Sequence, residues 1–164
     1  MSAAITILLD ASNYVLILML VALGLAIVFG LMNVINMAHG EFMMLGAYVV
    51  LACHQAGLPM IAGLVVAPLA VGLLGLVVEE LLIRRVYTRL LDTILATWGL
   101  SLILKQSIVL AFGPGSHSVT NPLPMSVSVL GVPYPAYRLF IMGVALAALG
   151  ATFWLFFRTE WGLT

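Results

Sequence analysis

The chain has 164 residues, of which 64% are apolar and 7% charged, and its formal net charge is zero. A soluble domain is typically about 45–50% apolar and about 25% charged, so this chain cannot cover its surface with polar groups, and lipid is the expected solvent. Zero net charge argues against a nucleic-acid-binding surface, and a single cysteine, Cys53, excludes a disulfide within the chain.

Four apolar runs are long enough to cross a membrane, because a spanning helix needs roughly 20 mostly apolar residues. The sequence therefore predicts an all-α fold, a polytopic transmembrane helical bundle with spans at residues 14–32, 60–78, 93–112 and 139–157. Pro68, near the middle of the second span, predicts a kink in that helix.

The stretch between the first two spans is different. Residues 33–41 read NVINMAHGE, and only twelve apolar residues, 42–53, follow them. Twelve helical residues rise about 18 Å, which is too short for a bilayer core of about 30 Å. Either a helix starts inside the polar stretch, or this is a broken or re-entrant element of the kind that often lines substrate paths in transporters. Counting it as a crossing gives five membrane segments.

Basic residues set the expected orientation. Arg84, Arg85 and Arg89 crowd the short loop after the second long span, which places that loop in the cytoplasm. The loop at residues 113–137, rich in Gly, Pro and Ser, then lies outside, although Arg138 beside it is an exception to the rule. With five segments the N-terminus is outside and the C-terminus inside.

One group of polar side chains lies in the short element. Ionisable or strongly polar groups at membrane depth are costly, so each is a functional candidate. The candidates for lining a substrate path here are Asn33, Asn36, His39 and Glu41. The alternative is that they satisfy backbone donors and acceptors that are freed where the helix breaks.

A second group recurs every four residues on the third long span. Thr93, Thr97, Ser101 and Lys105 share one helix face. A hydroxyl stripe that faces the bundle interior suits a small neutral solute with amide-like donors and acceptors. The alternative is hydrogen bonding between helices, with Lys105 extending to the outer interface.

Enzyme motifs are missing from the printed sequence. His39-Gly40-Glu41 fits the H-x-E half of a zinc deaminase signature, but no P-C-x-x-C follows it. There is no H-E-x-x-H, no G-x-S-x-G and no G-x-x-x-x-G-K-[ST] loop. We expect no catalytic residues, no cofactor and no metal site, and ATP hydrolysis, if it drives transport, on a separate subunit.

The polar stretch also carries a resemblance to a known family. Residues 24–48, GLAIVFGLMNVINMAHGEFMMLGAY, closely resemble the signature of inner-membrane permeases in the branched-chain amino acid and urea ABC importer family. That family has "IN-x-A-H-G-E" followed by "MLGAY", matched here by residues 35–41 and 44–48. The loop EELLIRRVYTRLLD is similar to the family's "E-R-x-x-x-R-x-x-Y-R-x-L" connection. Its counterparts are Glu79 or Glu80, Arg84 or Arg85, Tyr87 and Arg89.

Within the family, residues 91–104 resemble the urea type. They read LDTILATWGLSLIL, close to the "L-[DE]-T-L-L-A-T-W-G" of urea permeases, whereas amino acid permeases tend toward "I-x-A-I-G" or "I-x-T-x-G". Asp92, Thr93, Thr97 and Trp98 carry this distinction.

The resemblance implies a multi-pass permease subunit in the cell inner (plasma) membrane that moves urea or a short amide. Its alternatives are a branched-chain amino acid permease and a non-transporting truncated scaffold subunit. An ion channel with Glu41 in its pore is disfavoured, because no acidic ring or filter-like motif is evident. The implied partners are a second permease, ATPase subunits and an extracytoplasmic solute-binding protein.

The expected domain organisation is a single transmembrane permease domain, residues 1–164, that is incomplete at its C-terminus. In the family, a cytoplasmic segment that docks on the ATPase follows soon after a run like RTEWGL, and this chain stops at Thr164, where that segment is expected to begin.

Overall fold

A computed structural model describes residues 2–32, 35–86, 90–119, 125–129 and 131–158 of the chain. Its helices are α1 Ser2–Met32, α2 His39–Gln55, α3 Met60–Val78, α4 Arg84–Val86, α5 Leu90–Phe112 and α6 Ala136–Arg158. A π-helical segment, Glu79–Ile83, joins α3 to α4 and is called the π turn below. Two short strands, β1 Ser126–Val129 and β2 Val132–Pro135, precede α6.

The four long spans are confirmed. Among the described residues, four helices are long and apolar enough to cross a membrane: Ala3–Gly30, Met60–Val86, Leu91–Phe112 and Ala136–Leu155. The helix α2 is not one of them. Its 17 residues rise about 26 Å, less than a bilayer core of about 30 Å. The fifth, broken segment therefore stays a prediction, as does the kink at Pro68.

The first helix begins earlier than the sequence indicated. It starts at Ser2 rather than at residue 14, because Ser12 and Asp10, two polar residues near its start, have hydrogen-bond partners within the protein. Ser12 donates its hydroxyl to the Leu8 carbonyl at 2.8 Å, one turn back. Asp10 has partners of its own, described below. Polar side chains that bond within the protein do not end a helix.

The described residues form two compact units, Ile27–Thr120 and the pair of segments Met1–Ala26 and Asn121–Thr164. In the first unit, α2 and α3 are joined by a short connection in which Gly57 adopts a φ of 78°. Its N–H bonds the His54 carbonyl at 3.0 Å, and glycine meets this left-handed conformation without strain. The two helices approach each other closely at Gly63, where an added Cβ would lie 3.3 Å from Val50 Cα.

The second unit contains a hairpin that the sequence did not predict. Strands β1 and β2 pair antiparallel, from Ser126 opposite Pro135 to Val129 opposite Val132. The fold is therefore mostly helical rather than all-α. Short strands in a Gly- and Pro-rich stretch resemble an irregular loop, because alternation over four residues is a weak signal.

Tyr134 anchors this hairpin. Its side chain is 1% exposed, and its hydroxyl donates to Asp10 on α1 at 2.9 Å. Arg138, in the first turn of α6, forms an ion pair with the same carboxylate. Arg138 thus has an acidic partner on α1, and the orientation of the chain in the membrane stays a prediction.

Candidate substrate path

A cavity of about 470 Å³ lies in the first unit, between α2, α3 and the π turn. Its walls are mainly aliphatic and aromatic, and three polar residues interrupt them: Asn36, His39 and Glu79. An apolar cavity with a few polar groups is the usual form of a small-molecule site. The remaining lining residues are Val28, Phe42, Pro68, Val71, Gly72, Gly75, Val78 and Ile83.

A second cavity, of about 250 Å³, adjoins the first along α2 and α3. The two share four lining residues: His39, Phe42, Pro68 and Val71. From Ala67 in the second cavity to Ile83 in the first, the lining extends about 24 Å along the helix, most of the thickness of a bilayer core. His39 and Phe42 line both cavities and therefore lie where the two cavities meet.

Asn36 is positioned by the turn that precedes α2. Its Oδ1 accepts the N–H of Ala38 at 3.0 Å, and its carbonyl accepts the N–H of His39 at 3.4 Å. Both bonds satisfy backbone donors at the start of a helix, which otherwise lack partners. Asn36 therefore has the structural function that the sequence offered as an alternative, while its side chain also lines the cavity.

His39 begins α2 and has an unsatisfied group. Its Nε2 is buried and has no hydrogen-bond partner among the described residues. A buried polar atom without a partner costs about 1–3 kcal/mol, so such atoms in native proteins call for a physical explanation. His39 as a residue lines both cavities.

Glu41 was expected on the path, but it lines neither cavity. Instead, its carboxylate lies 3.6 Å from the Nζ of Lys105 on α5. This ion pair was not predicted from the sequence, in which Glu41 and Lys105 were considered as separate charges. The available signal was that opposite charges on neighbouring apolar segments tend to pair.

The hydroxyl stripe of α5 is buried on one face, as its spacing predicted. Thr93 is 1% exposed, Thr97 0% and Ser101 7%. Thr93 donates its hydroxyl to the Val86 carbonyl at 2.9 Å. None of the three lines either cavity.

Thr97 fastens the turn before α2 to α5. Its hydroxyl lies 2.9 Å from the Thr93 carbonyl, to which it donates, and accepts the backbone N–H of Met37 at 3.2 Å. The hydroxyl is thus occupied within the protein, as hydrogen bonding between elements would require. A direct contact of these hydroxyls with a solute stays a prediction.

Three residues that the sequence singled out, Asn33, Tyr87 and Arg89, lie outside the described residues, as do residues 159–164. Glu79, which shares the larger cavity with Asn36 and His39, was named only as a family counterpart. Its position in the cavity depends on how α3 packs against α2, and no sequence pattern reports that packing.

The four apolar helices define a multi-pass membrane protein. Residues 7–164 match the family described as the permease component of branched-chain amino acid transport systems, and the chain belongs to that family. No curated protein and no solved structure matches the chain. The family resemblance found in residues 24–48 is thereby confirmed for the permease family as a whole.

Proposed function

We propose that this chain is the permease subunit of an ABC importer and that it translocates urea or a short amide across the cell inner membrane. The observation that carries the proposal is that His39, whose buried Nε2 has no hydrogen-bond partner among the described residues, lines both cavities. A solute that passes along α2 and α3 would pass this residue.

The chemistry of an amide fits the polar groups of the cavity. Urea offers N–H donors and one carbonyl acceptor. The Asn36 amide can donate and accept, the His39 nitrogen can do either according to its tautomer, and the Glu79 carboxylate accepts. The urea-type segment at residues 91–104 supports the same choice.

Branched-chain amino acids are a second candidate substrate. The apolar lining favours them, because side chains such as Val28, Phe42 and Val71 could enclose an aliphatic group. The description of the family favours them too. A scaffold role without transport is the rival from another class.

The family implies further subunits. We expect ATPase subunits, a second permease subunit and an extracytoplasmic solute-binding protein, with ATP hydrolysed on the ATPase. The proposed path also includes five residues that were predicted from the sequence: Asn33, Glu41, Thr93, Thr97 and Ser101. The described members of this set line neither cavity, so their contact with a solute stays a prediction.

The identity of the substrate can be tested in cells that carry the complete transporter. The measurement is uptake of labelled urea and of labelled leucine. Deleting the gene should abolish uptake of urea if the amide proposal is correct. Unchanged urea uptake with lost leucine uptake would instead support the amino acid permease.

Alanine variants test transport against scaffolding. Asn36→Ala, His39→Ala and Glu41→Ala are compared one at a time, with Ser107→Ala as an exposed control on α5. A path residue loses uptake while the amount of assembled transporter stays constant. A scaffold residue loses assembly, and uptake falls only in proportion to it.

A further inference from the structure

The helix that begins at Met60 changes its winding at Glu79. In the π turn, the backbone N–H of Arg84 bonds the carbonyl of Glu79, five residues earlier, instead of the fourth. The turn is followed by α4, so the helix continues through it to Val86. Single π turns inside α-helices are rare and are frequent at functional sites, since the wider turn redirects side chains at some cost in hydrogen-bond geometry.

Two neighbouring carboxylates in this turn have different surroundings. Glu80 bonds Arg84 through both carboxylate oxygens, at 2.6 and 2.8 Å, and both side chains are more than half exposed. Glu79 lines the cavity that contains Asn36 and His39. Among the described residues, its side chain has no hydrogen bond or ion pair within the chain. Glu80 is therefore neutralised at the surface, whereas Glu79 lines the cavity without such a partner among the described residues.

We infer that Glu79 is the residue that determines which solutes the cavity accepts. It selects those that present N–H donors and rejects those that present a carboxylate. The inference rests on the proposed function and names the solute chemistry of the same path.

Glu79 can discriminate in this way because a carboxylate has only hydrogen-bond acceptors to offer. An ionised carboxylate only accepts hydrogen bonds, and it binds an N–H more strongly than a neutral carbonyl does. A solute carboxylate beside it would bring two acceptors and two negative charges together between apolar walls, where they are poorly screened. An amide of the same shape replaces one of those oxygens with a donor. Sites that hydrogen-bond a substrate group discriminate strongly against an analogue that lacks it.

Isobutyramide and isobutyrate test this directly, because they share a shape and differ in the group that meets Glu79. Both are measured as competitors of labelled urea uptake and as ligands of the purified, assembled transporter. The wild type should prefer the amide by at least about tenfold. Glu79→Gln should narrow that preference several-fold, because glutamine keeps the size but offers donors as well as an acceptor. Glu80→Gln is the matched control and should leave the preference unchanged.

Should Glu79→Gln fail to assemble, Glu79→Asp serves instead. It keeps the charge but withdraws it by one methylene, so amide affinity should fall while the carboxylate remains excluded. Equal behaviour of the Glu79 and Glu80 variants, or no preference in the wild type, overturns the inference. Amide binding without any uptake would contradict the proposed function and leave the role of Glu79 standing.

Discussion

The side-chain ammonium of Lys105 on α5 lies 3.6 Å from a carboxylate oxygen of Glu41 in the first turn of α2. The carboxylate is the more enclosed partner, with 15% of its side chain exposed against 60% for the lysine. An unpaired charge in apolar surroundings is costly, so the pair stabilises the packing of α2 against α5 mainly by avoiding that cost.

Removing Lys105 should therefore destabilise the protein more than removing both charges. We expect Lys105→Met to lower the unfolding midpoint of the detergent-solubilised transporter. Adding Glu41→Gln should recover part of the loss. Because the lysine is more than half exposed, the coupling should fall in the lower half of the range of about 0.5–3 kcal/mol known for contacting residues. Additive effects of the two substitutions on the unfolding midpoint would show that the ion pair contributes nothing to stability.

Thr97→Val should release the turn before α2. The substitution keeps the shape of the side chain but leaves the Met37 N–H without its acceptor, at a cost of about 1–3 kcal/mol. Thr97→Ser keeps the hydroxyl and should lose less. Thermal unfolding measures the stability, and hydrogen exchange of the peptide at residues 35–41 should become faster in the valine variant.

The control for Thr97 is Ser107→Ala on the same helix. Ser107 is exposed and donates only to the Ile103 carbonyl one turn back, at 2.8 Å. Its removal should change stability by no more than about 0.5 kcal/mol. Equal effects of Thr97→Val and Ser107→Ala would mean that the Met37 bond does not hold the turn.

Gly63→Ala should push α2 and α3 apart. The added methyl carbon would lie 3.3 Å from both the Cα and the Cγ1 of Val50, and a helix backbone cannot give way as a flexible side chain does. Overpacking of this kind typically costs about 1–3 kcal/mol. Gly99→Ala on α5 meets nothing within 4 Å, so it should be stabilising by about 0.5–1 kcal/mol through helix propensity. Shifts of the unfolding midpoint in the same direction for both variants would contradict the close approach.

Tyr134→Phe should loosen the hairpin. It removes a hydroxyl that donates to Asp10 at 2.9 Å, and hydrogen bonds to charged groups contribute about 1.5–3 kcal/mol. Hydrogen exchange of β1 and β2 should become faster. Tyr14→Phe, at a position that is 69% exposed, should leave the exchange unchanged.

The same tyrosine predicts a dependence on pH. Burial, reinforced by the bond to Asp10, raises the pKa of Tyr134 above its ordinary value. The hydroxyl is protonated in both the folded and the unfolded state below about pH 10, so its contribution to the free energy of unfolding is complete there. This stabilisation is lost as the pH rises through the higher pKa of the folded state. Tyr134→Phe should remove this part of the alkaline decline, and an identical decline in both proteins would contradict it.

The long membrane-spanning helices could be predicted from the sequence, because a run of about 20 apolar residues is compatible with a lipid environment and not with water. The bounds of α3 are those predicted, Met60–Val78. The buried face of α5 followed from four-residue spacing alone. The start of α2 was left open between two alternatives, and the structure begins that helix at His39, within the polar stretch.

Contacts between distant parts of the chain could not be predicted in this way. The bond from Tyr134 to Asp10 joins residues 124 positions apart, and periodicity carries no information on such pairs. The distinction between Glu79 and Glu80 was also out of reach, because adjacent residues in a helix point in different directions and only packing decides which one meets the cavity.

The bond between Tyr134 and Asp10 also bears on the order in which the protein is made. A ribosome that adds about 5–20 residues per second needs about 6–25 s to travel the 124 positions between them. During that interval the Asp10 carboxylate is already in the nascent chain, without the tyrosine and arginine that later hold it. The N-terminal part of α1 therefore completes its electrostatic environment only after the third long helix has been synthesised.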